Sequence, residues 1–361
     1  MTPGSSPRFH RLRVAEVRRE TPDAVSIALA VPDDLRDAFG FACGQYLTLR
    51  TTLHGEEVRR SYSICSGLDD ADLRIAVKRV EGGLFSGFAT GTLATGDEID
   101  VMPPMGRFGL APQPEAARTY AAFAAGSGIT PILSIIRTML AREPESRFFL
   151  FYGNRSTGSI LFREALEDLK DRFLDRLSVF HVLSRETQDI DALNGRLDGA
   201  KAALFLRTIV PADRVDHAFV CGPADMIEAV SGALREAGLP EQRIHVERFT
   251  PAGEGRARAP RPVAPADAPA ARATVITDGI AAEVPVAAGE TVLDAAIRAG
   301  LDLPYSCRGG MCCTCRAKVA EGAVEMEVNY SLEPWEIEAG FVLTCQARPT
   351  TERVVIDFDH V

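Results

Sequence analysis

Residues 306–315 read SCRGGMCCTC, and this stretch decides the nature of the C-terminal part of the chain. It places Cys307, Cys312 and Cys315 in a C-x4-C-x2-C array, with 29 residues between Cys315 and Cys345. That is the spacing of a plant-type [2Fe-2S] ligand set. One loop must wrap the cluster so that three thiolates converge while backbone N–H groups face the sulfurs, and Gly309 and Gly310 are expected to supply the freedom in φ. Free or disulfide-bonded thiols and a zinc site are the alternatives. Zinc, however, prefers two short-spaced ligand pairs set well apart. Cys313 breaks the spacing and reads as a small packing residue.

Upstream of the cysteines, Thr274–Thr277, the turn Asp278-Gly279 and Ala282–Val286 predict a hairpin, followed by a helix near Val292–Ala299. Before it, residues 250–272 hold 5 Pro and 8 Ala in 23 positions. This composition reads as a tether, able to span about 70 Å at about 3.1 Å per residue if extended. Residues 273–361 carry 6 Lys+Arg against 14 Asp+Glu, a balance of −8, whereas the tether carries 4 Arg against 2 acids. The C-terminal module is the acidic part.

The first 112 residues show short β-rich runs, Ala24–Val31, Gln45–Thr52, Val58–Cys65 and Leu73–Val80, separated by Gly, Pro and Asp. This spacing predicts an antiparallel β-barrel. After Pro114 the rhythm becomes strand, turn, helix: Tyr120–Ala125 then Pro131–Ala141, Phe148–Tyr152 then Ser159–Lys170, Leu177–Leu183, and Ala218–Cys221 then Ala224–Ala237. Such alternation predicts a parallel α/β sheet. The expected organisation is therefore a barrel over 8–112, an α/β domain over 115–249, a linker over 250–272 and a small α+β domain over 273–361.

Strand TYAAFAA runs into Gly126-Ser127-Gly128-Ile129-Thr130-Pro131, where glycines let the backbone approach a pyrophosphate at a helix N-terminus. The third glycine of the dinucleotide fingerprint is replaced by Pro131, so a plain helix-starting turn remains open. Tyr152-Gly153-Asn154-Arg155-Ser156 and Cys221-Gly222-Pro223 fall at later strand ends of the same sheet, where ligands of open α/β sheets bind. In the barrel, Arg60-Ser61-Tyr62-Ser63 combines a bidentate anion donor, an aromatic face and hydroxyls. Those parts can hold a flavin, with Arg60 for the diphosphate, Tyr62 against the ring and Ser63 near the ring nitrogen. A strand with a solvated polar face is the plainer reading.

A net charge of −10 argues against nucleic acid as a partner. The N-terminal residues lack the apolar core of a signal peptide, and no run approaches the roughly 18 apolar residues of a membrane span. A cytoplasmic protein is expected. The six His (10, 54, 181, 217, 245 and 360) are scattered in the sequence, with no Glu-x-x-His pair of a di-iron bundle. Oxygen activation is therefore expected to reside in another subunit.

In order, Arg60-Ser61-Tyr62-Ser63, Gly82-Gly83-Leu84-Phe85-Ser86, GSGITP, YGNRS and Cys221-Gly222-Pro223 resemble the ferredoxin-NADP reductase superfamily over residues 8–249. Fused to a plant-type ferredoxin, the whole resembles the reductase components of multicomponent oxygenases. The end of the reductase part, HVERF, and the tail VEMEVNYSLEPWEIEAGFVLTCQARP are similar to the reductase subunits of phenylacetyl-CoA epoxidases; steroid 9α-hydroxylase reductases share the domain order. The resemblance implies FAD at Arg60, Tyr62 and Ser63, with Lys78, Gly83 and Ser86 near its phosphates. It implies nicotinamide dinucleotide at Gly126, Thr130, Arg155, Ser156, Cys221 and Gly222, with Ser63 and Cys221 flanking the reacting rings. Arg155 and Ser156 favour NADPH, NADH being the other possibility. It further implies oxygenase subunits as electron acceptors. A flavin takes two electrons as a hydride and releases them singly, so the domain order makes a two-to-one electron converter. A redox-sensing cluster protein is the alternative of another class.

Overall fold

The structure, a computed structural model, describes residues 8–249 and 270–360. All but the last three positions of the expected tether lie outside the described residues, and a strand already begins at Ala271.

The first unit contains β1 (His10–Thr21), β2 (Ala24–Ala30), β3 (Tyr46–Leu53), β4 (Glu56–Ser63), β5 (Leu73–Lys78), α1 (Leu84–Gly91) and β6 (Glu98–Val101). Its antiparallel strands run in the order β4-β3-β6-β1-β2-β5, and an Ile64–Ile75 bridge joins the two ends into a barrel. Alternation builds it: Leu12 and Val14 are fully buried between exposed Arg11 and Arg13, so one face of the strand fills the interior.

The second unit contains β7 (Thr119–Ala125), α2 (Ile129–Arg142), β8 (Arg147–Asn154), α3 (Arg163–Arg172), β9 (Leu177–Leu183), α4 (Gly199–Thr208), β10 (His217–Gly222), α5 (Ala224–Glu236) and β11 (Ile244–Arg248). The strands are all parallel, ordered β11-β10-β7-β8-β9. The order therefore reverses between β7 and β10, which is where such sheets open a binding crevice. Eleven of the fourteen α2 residues are buried, too many for a surface helix. The helix is sandwiched between the sheet and the barrel, where Ser134 Oγ donates to the Ser66 carbonyl at 2.6 Å and Thr138 Oγ1 accepts from Leu68 N–H at 3.2 Å.

The helix expected over Ser159–Lys170 instead starts at Arg163. Ser156 and Ser159 cap each other reciprocally around a separate short turn, and Phe162 follows in the left-handed region at φ 58°. These local hydrogen bonds compete with the helix for the same backbone.

The third unit contains β12 (Ala271–Thr277), β13 (Ile280–Val286), α6 (Val292–Arg298), β14 (Arg316–Glu321), β15 (Val324–Met326), α7 (Pro334–Glu338), β16 (Phe341–Leu343), β17 (Ala347–Pro349) and β18 (Arg353–Asp357). The main sheet is ordered β13-β12-β18-β14-β16, with β12 and β18 parallel. Val292, Leu293, Ala295 and Ala296 of α6 are buried in its core with Val275, Ala317 and Ile356.

Two histidines far apart in the sequence meet at the edge of the parallel sheet, His217 Nδ1 lying 3.1 Å from His245 Nε2. The His245 ring also stacks on Phe219 at 4.9 Å. Burial, then the neighbouring His217, push the His245 imidazole down from about 6.5 to about 4. Between those values the unfolded chain binds a proton that the folded chain refuses, so stability falls as pH drops through the window and is complete above it. The effect is on the order of 3 kcal/mol. A His245→Phe variant should flatten the slope of urea-denaturation stability between pH 4 and 6.5; an unaltered slope would refute this.

Candidate electron-transfer site

Ser63, Glu247 and Cys221 lie together where the barrel meets the parallel sheet. Ser63, the last residue of β4, donates its hydroxyl to Glu247 Oε2 at 3.0 Å. Glu247 in turn pairs in register with Cys221 across β11 and β10. Burial pushes the Glu247 carboxyl up to about 8, against the opposing pull of the Ser63 hydrogen bond. Cys221 is fully buried, and burial followed by the Glu247 charge raises its thiol pKa. Sequence reasoning paired Ser63 with Cys221 and missed the carboxyl between them. The available signal was a lone acid at the end of the apolar strand IHVER, in register with the cysteine.

Along β4, Arg60 and Tyr62 lie on one side of the strand, opposite to Ser61 and Ser63. The Tyr62 ring packs on Phe85 of α1 at 5.4 Å. Gly83 caps α1, and a methyl group at Gly83 would crowd the Val80 side chain at 3.1 Å and the Ser86 hydroxyl at 2.6 Å. Beside this end of the helix runs a groove lined by Leu53, His54, Arg79, Val80, Leu84 and Phe88. Ser86 is buried, its hydroxyl accepting from Val80 N–H at 3.1 Å and donating to the Gly83 carbonyl at 3.2 Å. Lys78 is turned aside, its ammonium 3.5 Å from Asp23.

At the parallel sheet, the turn after β7, the end of β10 and the end of β8 flank the crevice. Gly128 packs directly onto β10: a methyl group there would overlap the Cys221 carbonyl and come within 2.9 Å of Gly222 N. Only glycine lets the turn and the strand end approach this closely. Thr130 is buried and donates to the Ser127 carbonyl at 2.9 Å, so it shapes the turn that begins at Gly126. Tyr152 Oη reaches the Gly126 carbonyl at 2.9 Å. Arg155 and Ser156 follow β8, and Arg185 N–H donates to the Arg155 carbonyl at 2.8 Å. Two exposed arginines thus share one corner, with no carboxylate partner for either among the described residues. Arg185 carried no motif of its own and was missed.

The four expected cluster ligands come as two pairs. Cys307 lies beside Cys312, and Cys315 beside Cys345. Gly309 N–H and Cys312 N–H point at Cys307 Sγ, both at 3.4 Å, and Gln346 Nε2 lies 3.5 Å from Cys345 Sγ. One thiol pair per iron, with N–H donors around the sulfurs, fits a two-iron cluster better than zinc. Cys313 turns away and donates to the Ser331 carbonyl at 3.4 Å. Of the positive φ expected at both glycines, one is found at Gly310 and the other falls instead on Arg308, whose side chain pairs with Asp294.

This cysteine loop sits on β3 and β4. Thr314, between two ligands, meets Tyr46 Oη at 3.1 Å and Thr48 Oγ1 at 3.4 Å, and Ser306 Oγ meets Ser61 Oγ at 2.9 Å. Ser61 belongs to the strand that carries Arg60, Tyr62 and Ser63, while Tyr46 and Thr48 belong to its neighbour β3.

Comparison with known proteins agrees with this geometry. Residues 11–109 match the oxidoreductase FAD-binding domain model, 123–232 the oxidoreductase NAD-binding domain and 275–350 the 2Fe-2S iron-sulfur cluster binding domain. One component of the 1,2-phenylacetyl-CoA epoxidase of Escherichia coli (strain K12) is 48% identical over 97% of this chain and 98% of its own length. The ferredoxin reductase component of a Rhodococcus rhodochrous 3-ketosteroid-9-alpha-monooxygenase is 36% identical, over 96% of both chains. This chain belongs to the family of oxygenase reductases. Among solved structures, phthalate dioxygenase reductase aligns over 97% of this chain and 98% of its own, with TM-score 0.56 and 25% identity.

As an oxygenase reductase the chain uses FAD, a nicotinamide dinucleotide and a [2Fe-2S] cluster, and hands electrons to an oxygenase partner. No described helix is long and apolar enough to cross a membrane. Bound flavin converts a hydride into two single-electron transfers.

Proposed function

We propose that this reductase takes a hydride from NADPH in the cytoplasm and supplies the oxygenase subunits of a phenylacetyl-CoA epoxidase. The observation that carries the substrate assignment is the near-full-length identity to a component of such an epoxidase, 48% against 36% for the steroid-linked relative. Added to the remaining components of the E. coli enzyme in place of that homologue, this chain is expected to support NADPH-dependent epoxidation of phenylacetyl-CoA. Failure there, alongside activity with a steroid monooxygenase, would reassign the partner.

Each residue has a distinct task in this reading. Arg60 holds the flavin diphosphate, Tyr62 supports the ring or ribityl chain, and Gly83 lets the phosphates approach the start of α1. Ser63 donates a hydrogen bond beside the reacting ring nitrogen, while Glu247 keeps a proton available there near neutral pH. Cys221 and Gly222 form the wall against which the nicotinamide lies, and Gly126 and Thr130 set the turn that receives the pyrophosphate. Arg155, Ser156 and Arg185 take the 2′-phosphate. Lys78, paired with Asp23, contributes to the FAD phosphate site through its charge. Cys307, Cys312, Cys315 and Cys345 hold the cluster.

Removing both Arg155 and Arg185 as alanine should raise the KM for NADPH about 10- to 100-fold, the loss of one or two charge-assisted bonds. The KM for NADH should move less than about threefold, since NADH lacks the 2′-phosphate to which those charge-assisted bonds are made. Equal effects on the two coenzymes would remove the NADPH preference.

A further inference from the structure

We propose that the ferredoxin-domain face seated on the barrel is also the face that meets the electron acceptor, which engages it through two arginines placed like Arg59 and Arg107. The inference rests on the reading of this chain as a reductase for a separate oxygenase.

Two acid–aromatic clamps flank the cysteine loop. In the first, Asp302 accepts from Arg59 at 2.9 Å, and the same guanidinium lies 4.1 Å from the centre of the Tyr305 ring. In the second, Glu336 accepts from Arg107 at 2.7 Å, and that guanidinium lies 5.4 Å from the Trp335 ring. The first clamp offers a carboxylate and an aromatic face to one planar cation; in the second, Glu336 is shared, accepting from Arg316 of its own domain at 2.7 Å as well as from Arg107, and the Trp335 ring supplies the exposed face. A guanidinium satisfies both at once, whereas an ammonium does so poorly.

Between the clamps the seat consists of hydroxyl contacts: Ser61 with Ser306, and Tyr46 and Thr48 with Thr314. Hydroxyls of this kind can trade partners with water once the seat opens, while Arg59, which also donates to the Leu303 carbonyl at 3.0 Å, carries the larger share of the cost of vacating it. While it is occupied, Thr314 and Cys315 are 1% exposed, Cys345 7% and Cys312 9%. Cys315 and Cys345 are buried in the domain's own core, but Thr314 beside them is held against Tyr46 and Thr48, so a second protein cannot reach this side of the cysteine loop until the barrel lets go. Asp302 and Trp335 remain well exposed even when seated, so each clamp keeps an edge on which an incoming arginine can begin the exchange.

Internal loading and external delivery thus compete for one surface. One electron passes to the acceptor's metal centre in each visit; the cluster is oxidised by one electron, and no atom is transferred. The domain's surplus of acids makes the visit dependent on ionic strength.

The test is binding, measured by biolayer interferometry on the full chain with cluster and flavin loaded, against the remaining components of the E. coli 1,2-phenylacetyl-CoA epoxidase. Arg59→Ala/Arg107→Ala removes the internal competitor and should tighten binding about tenfold. Asp302→Asn/Trp335→Ala should weaken it at least about tenfold. A Ser61→Cys/Ser306→Cys pair, oxidised to hold the seat closed, should bind poorly and recover on addition of dithiothreitol. Weaker binding by the double-arginine variant, or undiminished binding by the closed form, overturns the proposal while the reductase assignment stands. If the parent chain itself fails to bind, the acceptor assignment falls and takes the proposal with it.

Discussion

Replacing Cys345 by serine should abolish the visible absorbance of the cluster and cut NADPH-dependent delivery to cytochrome c or the oxygenase at least a hundredfold, while NADPH still reduces dichlorophenolindophenol through the flavin. The asymmetry follows from the architecture. Cys345 precedes Gln346 in the turn between β16 and β17, remote in sequence from the loop that holds its three companions, and it lies beside Cys315. Its loss strips one iron of half its thiolates but leaves β4, β7 and β10 untouched. A serine variant with full delivery and an intact cluster spectrum would remove Cys345 from the ligand set.

Substituting Gly128 with alanine should have the second-largest effect. The added methyl meets the Cys221 carbonyl and Gly222 N, which are backbone atoms that cannot rotate aside. Either the turn after β7 or the end of β10 must shift, at about 1–3 kcal/mol of stability. That shift moves the pyrophosphate turn relative to the nicotinamide wall. The KM for NADPH should therefore rise at least about tenfold, while FAD content stays near that of the parent. Both are readable by steady-state kinetics and by flavin absorbance after gel filtration. An alanine variant with parental KM and parental melting temperature would contradict the close approach.

Much of the molecule can be read in one dimension because its chemistry depends on short spacings. The C-x4-C-x2-C loop, the strand Arg60–Ser63 and the turn Gly126–Pro131 each gather their groups within about ten residues. The change from alternating strands to strand–turn–helix units separated barrel from parallel sheet without reference to contacts. The helix expected at Ser159 was misjudged because Ser156 and Ser159 stabilise a competing turn, a local hydrogen-bond choice that periodicity does not register. Histidines that look scattered include a touching pair, because parallel pairing sets His245 opposite Phe219 and leaves His217 two residues away on the same face of the neighbouring strand.

The sequence by itself determined the cofactor set and the three kinds of domain, since these rest on residue type and near-neighbour spacing, and the same spacing is what proposes the four cysteines as cluster ligands. Only the tertiary structure decided that Glu247 bonds Ser63 beside Cys221, that Arg185 joins Arg155 in one corner, and that Thr314 and Ser306 rest on the neighbouring strands β3 and β4. Each of these contacts joins separate strands or separate domains. Their partners are chosen by packing and register across long stretches of chain, and that information appears only when the domains come together.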